Sequence, residues 1–180
     1  NAGQTCAGVE RIYVENPVFE RFLATVREKA AALKAGDDYG PMTMPRQSEV
    51  VARHVRDALD RGGKPVVGGA ESVRENYVDP VVLTDVPEDS VAITEETFGP
   101  LLVVNPVDDV DDAVRRTNAS ALGLAASVFS GNSRRGADIA SRLRTGAASV
   151  NSVLGFAAIP SLPFGGVGDS GFGRVHGADG

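Results

Sequence analysis

The feature that most constrains the fold of this chain is the alternation of short β-rich runs with amphipathic helical segments. Residues 101–104 form the clearest β run, because Leu-Leu-Val-Val is continuously apolar, as strands buried in parallel sheets tend to be. The alternation continues through most of the chain, without internal repeats. It predicts an α/β fold with an open, largely parallel sheet and helices on both faces.

The remaining elements can be placed from periodicity and from turn residues. Strands are expected at 11–15, 65–68, 77–83, 101–104, 125–129 and 147–150, and helices at 48–61, 108–117 and 133–143. Another helix, of about 18 residues, should be capped by Asn16, begin at Pro17 and be closed by Gly36. Pro80 suggests that its strand lies at a sheet edge. Polar residues 84–100 should connect two strands, and the Gly-rich tail from Gly155 should form a loop.

Composition restricts the classes of function. A chain of 180 residues suits one domain with its own core. The net charge of −6 argues against nucleic acid or an anionic membrane as a main partner, since both require a basic face. No apolar run reaches the roughly 20 residues of a membrane span. With a single cysteine and no visible signal peptide, we expect a cytoplasmic protein.

The only cysteine, Cys6, ends a short polar loop and precedes a predicted strand. A lone thiol on a tight loop is a candidate nucleophile. It can equally be a small buried side chain without chemistry. Cys6 alone does not separate these two interpretations.

The acidic pair Glu95 and Glu96 also allows two interpretations. Two acids in a loop usually form a solvated turn. A carboxylate can, however, accept hydrogen bonds from two neighbouring hydroxyls, as on a ribose, and the nearby Phe98 can pack against a flat ring. The Gly-Pro that follows restricts the loop and begins the buried strand.

Two other patterns carry little functional signal. Residues 166–171 match G-x-G-x-x-G, but the strand and helix that must flank a dinucleotide fingerprint are missing, so close backbone approach is the better explanation of the glycines. His54 and His176 are far apart and no second ligand lies at a suitable spacing, so no metal site is expected. His54 should lie on the surface of its helix.

Three motifs in order resemble those of the aldehyde dehydrogenase superfamily. They are NAGQTC at 1–6, EETFGP at 95–100 and LPFGGVGDSG at 162–171. The last motif, with His176 and Gly177 soon after, and the short interval between Cys6 and Glu96, are most similar to the class 3 branch. The resemblance covers almost the whole chain and implies that residues 1–180 form a catalytic domain. The family's upstream Rossmann domain and its C-terminal oligomerisation strand are then absent from these residues.

The resemblance implies NAD- or NADP-dependent oxidation of a small-molecule aldehyde to a carboxylic acid. Cys6 would attack the carbonyl to give a thiohemiacetal and then a thioester, with its own backbone N–H donating to the oxyanion. Glu96 would hold the nicotinamide ribose and Phe98 would pack near the ring. Asn1, Gln4 and Asn151 would play supporting roles.

The resemblance also implies what these residues lack. The cofactor would be bound mainly by the upstream domain, which also carries the family's general base, so the isolated 180 residues should be inactive. The longer protein should be a homo-oligomer. Either water or coenzyme A could resolve the thioester.

Two other classes of function stay open. A cysteine acyl hydrolase or acyltransferase would keep the thiol without the hydride, and it would need His54 or His176 as a base. A non-catalytic structural module would need neither the thiol nor a base. Its exposed sheet edges would favour self-association.

Overall fold

The structure, a computed structural model, describes residues 1–153 and 155–179. It divides into two compact units, Asn1–Asp109 and Val110–Gly180. In the described part of the chain, no helix has the length and apolarity needed to cross a membrane.

The first unit contains six strands and three helices. The strands are β1 (Arg11–Glu15), β2 (Lys64–Val67), β3 (Val73–Arg74), β4 (Tyr77–Val78), β5 (Val81–Thr84) and β6 (Leu101–Val107), and the helices are α1 (Asn16–Ala31), α2 (Pro45–Asp60) and α3 (Val91–Thr94). Strands β1, β6, β5 and β2 form the main sheet in that order. The β1–β6 and β5–β6 pairs are parallel and only β2 runs antiparallel to its neighbour, so the largely parallel sheet is confirmed.

Alternate residues of the central strands point to opposite faces of this sheet. Leu83 and Val103 belong to a core cluster that includes residues of α2, namely Val51, Val55 and Ala58. Val82 and Val104 belong to a second cluster, which includes Phe19 and Leu23 of α1. Both clusters exclude water from apolar side chains, which is the main stabilising contribution to such a fold. The expected helices on both faces are therefore confirmed.

The prediction of an edge strand at Pro80 was wrong. Pro80 lies between β4 and β5, where its missing N–H interrupts no ladder. The strand resumes at Val81, whose N–H donates to the carbonyl oxygen of Pro100 over 2.9 Å. From there β5 runs through the interior of the sheet, between β6 and β2.

Helix boundaries also differ from expectation, and α1 ends at Ala31, five residues before the Gly36 that was expected to close it. Glu15 occupies the N-cap of α1 without a side-chain cap, and the Asn16 amide instead donates to the carboxylate of Asp108 over 3.0 Å. Helix α2 begins at Pro45, since a proline at the first helical position has no N–H to satisfy. The connection before β6 is not wholly irregular, because it contains α3.

In its described residues, the second unit contains two helices and four short strands. They are α4 (Val110–Ala119), α5 (Ser133–Ser141), β7 (Leu122–Gly123), β8 (Ala125–Val128), β9 (Ala147–Val150) and β10 (Val167–Gly168). Strands β8 and β9 pair in parallel, and β10 pairs antiparallel with β7. The tail is thus not only loop: besides β10 it has 3-10 turns at Gly155–Ala158 and Gly177–Asp179.

Candidate active site

The loop that carries Cys6 is built from tight backbone turns. The N–H of Gln4 donates to the carbonyl of Asn1 over 3.0 Å, and the N–H of Thr5 donates to the carbonyl of Gly3 over 2.8 Å. Ala2 and Gly3 have left-handed backbone angles, with φ of 52° and 72°. These turns place Cys6 on the exposed side of the loop.

The Gln4 side chain anchors this loop to a neighbouring segment. Its amide nitrogen donates to the carbonyl of Asn1 over 3.0 Å, and its amide oxygen accepts from the N–H of Thr43 over 2.9 Å. Asn1 contributes its backbone carbonyl to these contacts. The geometry is compatible with the supporting roles predicted for both residues, which stay predictions.

Cys6 is available for chemistry in two respects. Its thiol is exposed and forms no disulfide in the described part of the chain. Among the residues that the structure describes, neither the thiol nor the backbone N–H of Cys6 has a hydrogen-bond partner. An exposed sulfur beside an unused N–H donor can attack a carbonyl carbon and offer a hydrogen bond to the oxygen.

The structure brings the first two sequence motifs into direct backbone contact. A methyl group on Gly3 would lie 2.2 Å from the carbonyl oxygen of Gly99 and 3.1 Å from the nitrogen of Pro100. Only a residue without a Cβ permits this approach, and the left-handed φ of Gly3 independently favours glycine. The Cys6 loop therefore packs against the segment that carries Glu96 and Phe98.

Glu96 is exposed, and its carboxylate has no hydrogen-bond or ion-pair partner in the part of the chain described. Partial desolvation raises the pKa of Glu96, and the neighbouring Glu10 carboxylate raises it further, whereas Arg11 lowers it. The two uncommitted oxygens can accept hydrogen bonds from a vicinal diol. The donor set thus fits a ribose, and Phe98, half-buried two residues later, supplies an aromatic surface.

Sequence reasoning missed the residues that hold this segment. Thr97 is buried, and its carbonyl accepts from the Gln47 amide over 2.6 Å. The N–H groups of Thr97 and Phe98 both donate to the carboxylate of Glu10, over 3.0 and 2.8 Å. Nothing in the local sequence of Glu10 or Gln47 indicates these bonds, since they join residues 50 to 88 positions apart.

The surface position expected for His54 was wrong, because its side chain is completely buried. Its Nδ1 lies 3.0 Å from the Thr97 hydroxyl, and its Nε2 lies 3.1 Å from a guanidinium nitrogen of Arg53. Arg53 in turn pairs with Glu95. Both ring nitrogens are therefore engaged away from Cys6, so His54 is not placed as the base that an acyl hydrolase would need.

Asn151 lies in the second unit, directly after β9. Its φ is 55°, and both polar atoms of its side-chain amide pair with the backbone of Ser130, each over 2.9 Å. These bonds tie the end of β9 to the residues after β8. His176 also lies in this unit, with a φ of 68°.

The Gly-rich segment at 166–171 uses its glycines for close approach, as expected. A Cβ on Gly168 would lie 2.3 Å from the carbonyl oxygen of Ala121, and one on Gly166 would lie 2.3 Å from that of Ser170. Among the described residues, no three His, Cys, Asp or Glu side chains are grouped as metal ligands.

Known proteins resemble this chain over its whole length. A family model described as the aldehyde dehydrogenase family matches residues 1–180. A 4,4'-diapolycopene aldehyde oxidase from Methylomonas sp is 42% identical, with 100% of this chain aligned to 34% of the relative. A putative NADP(+) succinate-semialdehyde dehydrogenase 2 from Mycobacterium ulcerans is 40% identical, with 100% of this chain aligned to 36% of the relative. The chain thus spans about a third of the length of these curated relatives.

A solved structure shows the same fold. The crystal structure of a Mycobacterium tuberculosis aldehyde dehydrogenase complexed with NAD+ superimposes with a TM-score of 0.89 at 31% identity, over 99% of this chain and 38% of that chain. This level of sequence identity and the match of the family model to residues 1–180 together support one assignment to a family. The chain belongs to the aldehyde dehydrogenase family.

Proposed function

We propose that this chain supplies the nucleophile-bearing part of the active site of an NAD(P)-dependent aldehyde dehydrogenase, with Cys6 as the nucleophile. The observation that carries the proposal is the backbone contact of Gly3 with Gly99, since it holds the Cys6 loop against the segment of Glu96 and Phe98. Cys6 and Glu96 therefore lie on adjoining loops, as a thiol and a ribose-binding carboxylate of one site would.

The first step is attack of the Cys6 thiolate on the aldehyde carbonyl carbon, which forms a thiohemiacetal. Negative charge develops on the carbonyl oxygen, and the Cys6 backbone N–H, which has no acceptor among the described residues, donates to it. A donor aimed at developing charge stabilises the transition state more than the ground state.

When bound, the dinucleotide supplies a hydride acceptor. The carboxylate of Glu96 would accept hydrogen bonds from its ribose hydroxyls, and Phe98 would pack against the nicotinamide. The thiohemiacetal carbon would lose a hydride to that acceptor and its hydroxyl would lose a proton to a base, which would leave the acyl group on Cys6 as a thioester. Water would then displace the acyl group as a carboxylic acid and restore the thiol. We infer that the general base comes from residues outside this chain, as the resemblance to the family implies. The ring nitrogens of His54 face Arg53 and Thr97, so this histidine does not supply the base.

The substrate is an aldehyde whose identity must be found by assay. Two relatives are named for 4,4'-diapolycopene aldehyde and for succinate semialdehyde, so these are the first compounds to try. Both NAD+ and NADP+ should be offered, since the names of the relatives include each.

The test is aldehyde-dependent NAD(P)H formation by the longer polypeptide that contains this chain. Cys6→Ala should lower kcat by about 10⁴-fold or more, as removal of a covalent nucleophile does. Ser141→Ala, which changes a small polar side chain exposed on α5, is the matched control and should leave kcat unchanged. Mass spectrometry of the enzyme during turnover should find the acyl group on Cys6. Full activity in Cys6→Ala would refute the proposal.

A further inference from the structure

The carboxylate of Glu10 binds two consecutive backbone N–H groups. Its Oε2 accepts from Thr97 over 3.0 Å and its Oε1 accepts from Phe98 over 2.8 Å. Successive N–H groups that converge in this way form an anion-binding concavity, and an ionised acceptor makes their hydrogen bonds stronger than neutral ones. The anion here is a side chain of the same molecule.

Glu10 is itself fixed at both ends. Its backbone carbonyl accepts from the N–H of Val103 over 2.9 Å, so the residue extends the register of β1 along β6. It also follows Cys6 by four positions. One residue therefore connects the nucleophile loop, the main sheet and the segment of Thr97 and Phe98.

This segment needs external support because of its backbone conformation. Phe98 has a φ of 47°, in the left-handed region that a bulky residue rarely adopts. The other polar groups of Thr97 are bonded as well, its carbonyl to Gln47 and its hydroxyl to His54. Thr97, which lies between the two predicted cofactor contacts, is thus hydrogen-bonded at every polar atom. The carboxylate of Glu96, in contrast, has no partner among the residues described.

We propose that Glu10 is a positioning residue, whose carboxylate fixes the backbone of Thr97 and Phe98 and so places Glu96 and Phe98 against the Cys6 loop. This inference rests on the function proposed for Glu96 and Phe98. In this role Glu10 would contact neither substrate nor cofactor. It acts only through the two amides that it binds.

Three variants separate this role from a general effect of charge or stability. Glu10→Ala removes both acceptors, and Glu10→Gln keeps one acceptor but turns an N–H donor toward the second amide. Glu20→Gln makes the same change of charge at an exposed position of α1 and is the control. All three are made in the longer polypeptide that contains this chain.

The first measurement is amide hydrogen exchange without any ligand. Exchange at Thr97 and Phe98 should quicken by about 10- to 100-fold in Glu10→Ala, as expected for loss of hydrogen bonds to a charged group, and by less in Glu10→Gln. Exchange at Val104 in the buried β6 should stay at the wild-type rate in every variant. Unchanged exchange at Thr97 and Phe98, or an equal rise at Val104, would overturn the proposal.

The second measurement is the Kd of NAD+ and NADP+ by titration. It should rise for Glu10→Ala and Glu10→Gln in the order of their exchange rates, and stay constant for Glu20→Gln. Faster exchange with an unaltered Kd would overturn the positioning role. If the wild-type polypeptide bound neither dinucleotide, the proposed function would fail, and the exchange rates alone would then decide whether Glu10 holds the segment.

Discussion

His54 shows how a single side chain can support a site from inside the core. Burial of the ring lowers the pKa of His54, and the positive charge of Arg53 lowers it further, against the opposing influence of Glu95. The imidazole is therefore neutral near pH 7. A guanidinium nitrogen can only donate, so the contact with Arg53 fits the tautomer in which Nε2 accepts and Nδ1 donates to the hydroxyl of Thr97. Oε2 of Glu95 also lies 3.4 Å from Nε2.

This pKa shift predicts a loss of stability in mild acid. The pKa of His54 in the folded protein lies below its usual value of 6.5, so the unfolded chain takes up the proton first as the pH falls. The contribution of neutral, buried His54 to the free energy of unfolding is therefore complete above about pH 6.5. It decreases as the pH falls toward the pKa of the folded state, by at most about 2 kcal/mol between pH 6.5 and pH 5. Urea unfolding at pH 7 and pH 5 measures this change.

The comparison for this prediction is His54→Asn, which can still donate near Nδ1 but does not titrate. The variant should be less stable at pH 7, yet it should lose less stability than the wild type on going to pH 5. Equal losses in the two proteins would show that other groups cause the acid sensitivity.

At the scale of elements, the site depends on how two loops meet rather than on the loops alone. Residues 1–6 follow tight turns, and residues 95–100 enter β6 through Gly99 and Pro100. Gly3 is the point where they touch. The sheet supports both loops, because β1 follows the first in sequence and β6 follows the second.

Gly3→Ala tests this contact. The new methyl group would lie 2.2 Å from the carbonyl oxygen of Gly99, so the loop must shift, and kcat/KM should fall by about 100-fold. The left-handed φ of 72° should also cost about 1–2 kcal/mol in the free energy of unfolding. Aldehyde oxidation and urea unfolding are measured together.

Gly40→Ala is the control for this variant, since no atom lies within 4 Å of its added Cβ and its φ is not left-handed. It should leave kcat/KM and stability close to those of the wild type. An unaltered kcat/KM in Gly3→Ala would mean that the contact does not position Cys6.

At the scale of the whole molecule, the chain is two compact units that together match about a third of each relative. The class 3 resemblance, a cytoplasmic location and homo-oligomerisation of the longer protein stay predictions. The choice between water and coenzyme A in resolving the thioester also stays open.

We expect the isolated 180-residue chain to form no NAD(P)H from any aldehyde. Among the described residues, none is bonded to the thiol of Cys6 as a base, and the cofactor contacts proposed here are limited to Glu96 and Phe98. The assay compares equal concentrations of the folded chain and of the longer polypeptide, with circular dichroism to verify that the chain is folded. Turnover by the chain alone would place the missing base within these residues.

Local pattern was enough to determine much of this protein. The apolar run at β6 predicted a buried strand, and the spacing of apolar residues predicted helices on both faces of a largely parallel sheet. The three motifs predicted the family, which the family match confirmed. Such features are readable because side-chain periodicity and turn chemistry act over a few residues.

Only the tertiary structure decided what surrounds the motifs. It buried His54, placed β5 inside the sheet and joined Glu10 to amides 87 and 88 positions away. The sequence around a helical residue such as His54 does not show whether its side chain faces water or packs against another segment. The bonds that hold Thr97 and Phe98 arise only when packing brings distant segments together, because a hydrogen bond depends on distance in space and not on spacing along the chain.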